Sequence, residues 1–482
     1  MSVTPPSLLS LRRLLLLLFA FLAAVFLAQG LAQWVQAISP TPLGIGKWFP
    51  VAYGHPRTPS GTQMTGAALS IAGFVGAIRV LSRIPERHRY AVAALIGFLA
   101  ILGTTATHGT ERGFVHPVAG RDPRAKPAQY WHDAEAQHIT TGEDALRFVR
   151  EYGDRQPTLA EHGRTHPPGA VLLFALLRQG SGNRPALPAV MVCLISVALI
   201  AAGFHRAGAP PFAVVLFCVL PAVQVYFCAT LDAIIAGLLF LAVVGGRATA
   251  PPATPSPSGG RGGARRDTTN DASPAHLLPL SLRRERGWQG VIAFLAASFL
   301  TFGVIWVVPV LFAVEIARTR RFPWRTAVLL LAVALFYVAL RVFLGFDYFA
   351  AFRFASANEN PDGFRLFVNP VEYLATRLEN IADLLFFAGP FALWAAWRGF
   401  PMARRDASPV WVMFVAGAAS LLLLFLAGAY RTGETARACL FLYPLVTLVA
   451  AHAPLSERDR ETLLIATFCT AVAVQCAGFY FW

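Results

Sequence analysis

Charged residues are scarce in this chain, and their scarcity excludes an ordinary soluble protein. They make up 14% of the sequence against 56% apolar residues, whereas a soluble domain carries roughly 25% charged residues. Apolar runs long enough to cross about 30 Å of hydrocarbon recur along the whole chain. With a mean hydropathy of +0.54, the sequence predicts an all-α polytopic membrane protein.

Cysteine is also rare, and no two cysteines form a Cys-x-x-Cys pair. This spacing argues against a zinc site and against a disulfide framework. We interpret all six cysteines as small apolar side chains inside membrane spans: Cys193, Cys218, Cys228, Cys439, Cys469 and Cys476.

No internal repeat is visible in the sequence. Its absence weighs against transporters built from inverted repeats, which also need polar residues inside their spans near the membrane midplane. The predicted spans hold few polar residues, and the ionisable residues concentrate in loops and at span ends. This distribution favours an enzyme that acts at the membrane surface.

The net charge of +15 comes mostly from arginine in short loops. Basic loops of membrane proteins lie on the cytoplasmic side, so this charge predicts topology rather than nucleic-acid binding. Arg12 and Arg13 place the N-terminus in the cytoplasm, before an apolar run longer than the usual core of a signal peptide. A basic surplus could also attract anionic lipid or a lipid phosphate.

Hydropathy predicts about 11–13 transmembrane helices. The run 169–177 is too short to cross, since nine helical residues rise about 14 Å, and we expect a half-helix that starts at Pro167-Pro168. The run 291–317 is one long span or two short ones broken near Thr301. The other predicted spans lie at about 11–32, 64–80, 90–106, 187–204, 212–225, 230–244, 326–343, 381–396, 410–427, 438–451 and 463–481.

The sequence divides into five predicted parts. Residues 1–107 hold the N-terminal spans. Residues 108–169 form an extracytoplasmic loop with short amphipathic helices, and residues 170–246 return to the membrane. Residues 247–288 are rich in Pro, Gly, Ser and Arg, which predicts a disordered cytoplasmic linker. Residues 289–482 hold the C-terminal helices, with outer loops near 345–377 and 430–437.

The most promising chemistry lies in the segment Gln129–Glu135, which is followed by His138. A carboxylate at a dry membrane boundary can have a raised pKa and act as a general base. Paired acids with a histidine could instead hold a divalent metal. The alternative is a solvated polar loop without a catalytic role.

Two later segments add ionisable residues at span boundaries. Asp232 starts an apolar helix, where it either caps free N–H groups or belongs to a site. In the segment 430–437, Arg431 and Arg437 could hold a phosphate between them, with Glu434 orienting one of them. The alternative for this turn is an interfacial anchor with an internal ion pair.

These features together resemble the GT-C superfamily of membrane glycosyltransferases, the group that includes protein O-mannosyltransferases and aminoarabinose transferases. The resemblance rests on the acidic patch with Asp133 and Glu135, on His166-Pro167-Pro168 before a short apolar helix, and on Leu231-Asp232. It covers about residues 90–244. More than one predicted span precedes the loop, where the family usually has one, and the acidic motif reads Asp-Ala-Glu rather than an adjacent pair.

The resemblance implies transfer of a sugar from a polyprenyl-phosphate donor, with inversion at the anomeric carbon, on the extracytoplasmic face. Asp133, or alternatively Glu135, would deprotonate the acceptor hydroxyl. Arg431 and Arg437 would bind the leaving phosphate, and His166 and Asp232 would shape the site or help to bind a metal. Further substrate-binding candidates are Tyr130, His132, Arg164 and Glu434.

Some members of the superfamily use a divalent metal and others do not, so a divalent metal stays open as a cofactor. Its candidate ligands are Glu135, His138 and His166. The expected partners are the lipid-linked donor, membrane lipids and an acceptor of unspecified kind, without nucleic acid. The expected location is the bacterial inner membrane. The rival hypotheses are a transporter or flippase, and a polymerase or ligase of lipid-linked glycans.

Overall fold

The computed structural model describes residues 9–51, 54–120, 129–245, 280–361, 363–406, 408–429 and 435–480. In these ranges nearly all regular structure is helical. The strands there are β1 (Gly54–Pro56) and β2 (Gly478–Tyr480), which pair antiparallel. The predicted all-α polytopic membrane fold is thereby confirmed.

Three long helices open the described chain: α1 (Leu11–Ile38), α2 (Gly61–Leu81) and α3 (Glu86–Ala106). No residue of α1 is buried, as expected of a leucine-rich helix that faces lipid. The start of α2 is fixed by a capping box, in which the side chain of Ser60 and that of Gln63 each accept from the other's backbone N–H.

The short helices predicted for the loop 108–169 are present. They are α4 (His116–Ala119), α5 (Tyr130–Ala136), α6 (Gly142–Arg150), α7 (Tyr152–Arg155) and α8 (Glu161–Arg164).

The expected half-helix is α9 (Gly169–Gly180), which begins directly after Pro168. Its twelve residues are too few to cross a bilayer. A Cβ on Gly169 would lie 2.2 Å from the backbone oxygen of Phe299, so only glycine lets this helix approach that close to the later chain.

The predicted span 212–225 is wrong as one helix. After α10 (Ala186–Arg206) the chain forms α11 (Pro211–Cys218) and α12 (Pro221–Tyr226), followed by α13 (Leu231–Gly245). Leu220 has extended backbone angles, because the residue before a proline disfavours the helical region. Both short helices are largely buried inside the bundle.

Of the two alternatives for the run 291–317, the structure has the one broken near Thr301. α14 (Leu280–Leu300) ends there, Thr301 is extended, and a 3₁₀ turn over Phe302–Trp306 leads into α15 (Val307–Thr319). Most of the predicted linker 247–288 lies outside the described residues. Its last part is wrong as a disordered segment, because α14 already begins at Leu280.

The predicted outer loop 345–377 is largely helical. α16 (Trp324–Leu344) is followed by α17 (Tyr348–Glu359) and α18 (Pro370–Ala388). The predicted span 381–396 is wrong as a straight helix, since α18 and α19 (Pro390–Arg405) meet at 94°. Gly389 between them has a φ of +78°, a value that residues with a Cβ rarely adopt.

The chain ends with α20 (Pro409–Leu426), α21 (Thr435–Ala438), α22 (Tyr443–Ala450) and α23 (Glu457–Ala477). In the described ranges eight helices are long and apolar enough to cross a membrane, and the bent pair α18–α19 would make nine. The predicted 11–13 spans are reached only when the shorter apolar helices are counted as well. Those are Leu231–Gly245, Trp288–Leu300 and Leu440–Ala450, without the half-helix Gly169–Gly180.

Candidate active site

Tyr130 joins the loop helix α5 to the segment that precedes α9. Its hydroxyl lies 3.0 Å from Nδ1 of His166, and the two rings meet edge to face at 5.4 Å. The other face of Tyr130 stacks on Phe174 of α9 at 5.2 Å. The His-Pro-Pro element and the acidic loop are therefore held against each other.

A second tyrosine fixes the backbone of the same segment. The hydroxyl of Tyr152 donates to the backbone oxygens of His166 and of Gly163, the latter at 3.2 Å. The amide of Gln156 donates to the backbone oxygen of Arg164 at 2.8 Å. These bonds satisfy carbonyls that a helix would otherwise use, and they fix the turn that carries His166.

Asp133 lies beneath this turn and is 5% exposed. Its Oδ1 accepts the backbone N–H of Ala160 at 2.7 Å, while its Oδ2 has no hydrogen-bond partner among the described residues. Burial raises the pKa of Asp133 to about 6, against the opposing effects of the Ala160 N–H and of His132. The result is a dry carboxylate whose Oδ2 is buried and whose affinity for a proton is raised.

Glu135 occupies a different environment on the same helix. It is exposed, and its Oε1 accepts from Nη2 of Arg178 at 2.7 Å. The guanidinium of Arg178 lies over the ring of Trp131. An exposed ion pair of this kind gives little stability, and its carboxylate is already engaged, so the geometry favours Asp133 over Glu135 as a base.

Asp232 forms an ion pair with Arg437 of α21, with Oδ2 and Nε 3.5 Å apart. Among the described residues it makes no side-chain hydrogen bond to the first turn of α13, so the predicted capping role is wrong. Burial lowers the pKa of His166, the charge of Asp232 raises it, and Arg437 lowers it. The pair therefore acts on the same histidine that Tyr130 contacts.

His162 is a member of this cluster that sequence reasoning did not single out. Its backbone oxygen lies 3.1 Å from Nδ1 of His166, and its ring lies 6.0 Å from that of Tyr130. Burial lowers the pKa of His162 to about 3, and the charge of Arg437 lowers it further. Its place one helical turn before His166 was the available signal. We call Tyr130, Asp133, His162, His166, Asp232 and Arg437 the outer-loop cluster.

The remaining candidates are placed less centrally. Nε2 of His132 lies 2.6 Å from the backbone oxygen of Ala119, which it holds against α5. Arg164 lies at the end of α8, and its Nε has no hydrogen-bond partner in the described part of the chain. Arg431 and Glu434 lie outside the described residues.

The structure does not gather the expected metal ligands. Glu135 pairs with Arg178, His138 is exposed, and Nδ1 of His166 faces Tyr130. Over the described ranges no three His, Cys, Asp or Glu side chains are placed to hold a metal ion. The three candidate ligands Glu135, His138 and His166 are thus not brought together in the described part of the chain.

A buried polar face on α18 was missed entirely. Oδ1 of Asn380 accepts from the hydroxyl of Thr435 at 2.8 Å, and Oδ2 of Asp383 accepts from the backbone N–H of Ala436 at 2.8 Å. Both contacts fix α21 and thereby position Arg437. The signal was present as polar residues three and four apart along one helix face; they are Thr376, Arg377, Glu379, Asn380 and Asp383.

Comparison with family models, with curated proteins and with solved structures found no match to this chain. The similarity to the GT-C superfamily therefore rests on the motif residues of the sequence alone.

Proposed function

We propose that this chain is a membrane glycosyltransferase that moves a sugar from a polyprenyl-phosphate donor to an acceptor hydroxyl on the extracytoplasmic face. The observation that carries the proposal is Asp133. It is a buried carboxylate with a pKa raised to about 6 and with Oδ2 free of hydrogen bonds from the described residues. An effective general base has a pKa near the working pH.

In the proposed reaction, Oδ2 of Asp133 takes the proton of the acceptor hydroxyl while the acceptor oxygen attacks the anomeric carbon. The bond from that carbon to the phosphate oxygen breaks, the configuration inverts, and the electron pair leaves with the lipid phosphate. The positive charge of Arg437 stabilises the negative charge that develops there. Asp232, 3.5 Å from Arg437, orients the guanidinium.

In this proposal Tyr130 and His166 position the other residues of the cluster and do not transfer a proton. Burial keeps the pKa of Tyr130 well above its usual value, so the phenol stays protonated. Its hydroxyl holds His166 at 3.0 Å, and His166 begins the turn into α9. The backbone there is fixed, which favours a preorganised site.

No step of this mechanism runs through a metal, since the described side chains do not form a ligand set. The proposed location is the bacterial inner membrane, with the N-terminus in the cytoplasm and the outer-loop cluster outside. The arginine-rich turns support that topology.

The test is transfer of radiolabelled sugar from a panel of polyprenyl-phosphate sugars in proteoliposomes. Asp133→Asn should lower the rate by about 100-fold or more, the usual contribution of a general base. Glu135→Gln is the matched control, one carboxylate on the same short helix, and should stay near the wild-type rate. Equal rates for wild type and Asp133→Asn would overturn the assignment of the base.

One observation favours a second function, a flippase for lipid-linked saccharides. The buried polar face of α18 lies in one arm of a bent apolar helix pair, and polar residues on broken helices are typical of transporters. Movement of a fluorescent polyprenyl-phosphate sugar across liposomes without an acceptor tests it. Protein-dependent movement that survives Asp133→Asn would favour the flippase.

A further inference from the structure

A cavity of about 680 Å³ opens between the start of α2 and the end of α3, outside the outer-loop cluster. Ligand pockets typically measure roughly 300–1,000 Å³. Among the described residues its lining contains two arginines, one histidine and several hydroxyl groups, and no carboxylate. The polar lining residues are Arg57, Thr58, Ser60, Thr62, Gln63, Thr107, His108 and Arg112.

Arg57 is held in place by the backbone of the last helix. The backbone N–H of Arg57 donates to the backbone oxygen of Ala477 at 2.7 Å, beside the β1–β2 pair. The side-chain Nε of Arg57 donates to the backbone oxygen of Cys476 at 3.4 Å. Among the described residues no carboxylate pairs with Arg57, and its Nη1 group has no partner there. The cavity therefore contains a fixed cation with unused donors.

His108 orients that cation. Nη2 of Arg57 lies 3.0 Å from Nδ1 of His108, and the amide nitrogen of Gln63 lies 3.3 Å from the same atom. An arginine only donates, so Nδ1 accepts and the imidazole is neutral. Burial lowers the pKa of His108 to about 4, and the charges of Arg57 and Arg112 lower it further. His108 thus binds Arg57 without adding a competing charge.

The surroundings favour an anion over a neutral ligand. Arg57 and Arg112 both line the cavity, and the charge of each acts on His108. The N-terminus of α2 (Gly61–Leu81) opens on the same cavity, and the positive end of a helix dipole lies there. Guanidinium groups in pairs match phosphate oxygens in geometry as well as in charge.

We propose that the cavity at Arg57, His108 and Arg112 binds a phosphate group. The ligand is either the headgroup of an anionic lipid or a free phosphate, which share this chemistry. The site is separate from the pair Asp232–Arg437, and its existence does not require the chain to be a glycosyltransferase. The predicted topology puts it on the extracytoplasmic side, together with the loop 108–169.

The experiment uses the full chain purified in a non-ionic detergent that contains no phosphate. Short-chain phosphatidic acid, the matching diacylglycerol and inorganic phosphate are titrated, and binding is followed by the thermal unfolding midpoint and by native mass spectrometry. Phosphatidic acid should bind and diacylglycerol should not. Inorganic phosphate that binds as tightly as phosphatidic acid identifies a free phosphate as the ligand, and weaker binding identifies a lipid headgroup.

The variants decide whether the bound phosphate occupies this cavity. Arg57→Gln and Arg112→Gln should each weaken binding by about tenfold or more, as expected for a charge-assisted contact. Thr62→Glu keeps the fold, since acidic residues suit a first helical turn, and its negative charge should also expel the ligand. Arg79→Gln is the matched control, because Arg79 of α2 is 68% exposed and pairs with Glu461.

Two results would overturn the proposal. One is that neither phosphatidic acid nor inorganic phosphate binds better than diacylglycerol. The other is that Thr62→Glu and Arg57→Gln bind phosphate like wild type and like Arg79→Gln. Thr62→Glu keeps the test valid if Arg57→Gln, which loses a contact to α23, fails to fold.

Discussion

Asp133 lies so close to Gly163 that a Cβ on the glycine would come within 2.0 Å of Oδ2. The carboxylate cannot move away without losing the hydrogen bond that Oδ1 accepts from the backbone N–H of Ala160. The space for the proposed base therefore depends on the missing side chain of Gly163 in helix α8.

The substitution Gly163→Ala should accordingly displace the carboxylate. We expect sugar transfer to fall strongly and stability to fall by about 1–3 kcal/mol, the usual cost of overpacking. Gly153→Ala is the control, since nothing lies within 4 Å of a Cβ there. Transfer rates and thermal midpoints of both variants check the prediction, and it is wrong if the two variants behave alike.

The transfer reaction should lose rate at low pH. With a pKa of about 6, Asp133 becomes protonated below that pH and cannot accept the acceptor's proton, so the rate should drop about tenfold per pH unit there. A pH profile between 4.5 and 8, roughly the range around this pKa, measures it. A flat profile in that range would contradict the role of Asp133.

The stability of the protein should depend on pH in the opposite sense. The pKa of Asp133 in the folded state lies above its unfolded value near 4, so the folded state binds the proton more tightly. Stability then falls as the pH rises from about 4 to about 6, by at most about 3 kcal/mol. Asp133→Asn should remove this fall, which thermal midpoints at pH 4.5 and pH 7 would detect.

The pair Asp232–Arg437 should behave as a unit. Asp232→Asn and Arg437→Gln each leave one charge without its partner, whereas the double variant removes both. We expect a coupling energy of about 0.5–3 kcal/mol in a double-mutant cycle on donor binding. If the effects of the two substitutions on the KM for the donor are additive, the 3.5 Å contact between Asp232 and Arg437 does not contribute to donor binding.

Glu379 links α18 to the segment after α1. It is 0% exposed, its Oε1 accepts the N–H of Gly46 at 2.8 Å, and its Oε2 has no partner among the described residues. Glu379→Gln keeps the acceptor and should be tolerated. Glu379→Ala leaves the partly buried N–H of Gly46 without this acceptor and should cost about 1–3 kcal/mol. Limited proteolysis measures the prediction: cleavage between residues 39 and 51 should be faster in Glu379→Ala than in Glu379→Gln.

Much of the fold follows from hydropathy, because long apolar runs in a membrane have only the helix available to them. The half-helix at Gly169 was predicted from its length, and a break near Thr301 was one of the two alternatives for its run. The breaks at Leu220 and Gly389 were missed. Pro221 and Pro390 marked both places, but a window as long as a span averages over such single residues.

The candidate cluster was predicted in part, since its members sit at span ends where ionisable residues are easy to notice. Their partners were not predictable in the same way. The pairing of Asp232 with Arg437 joins positions about two hundred residues apart, and the polar face of α18 is hidden in a segment of acceptable mean hydropathy. Long-range contacts of this kind depend on packing that one sequence does not display.

The pairing of β1 with β2 sets an order of events during synthesis. Residues 54–56 leave the ribosome early, yet their strand partners are residues 478–480, and the oxygen that holds Nε of Arg57 belongs to Cys476. The contacts that hold Arg57 therefore form only after residues 476–480 have been translated and inserted. A chain stalled before that point would carry every earlier helix and still lack the backbone oxygens of Cys476 and Ala477 that hold Arg57.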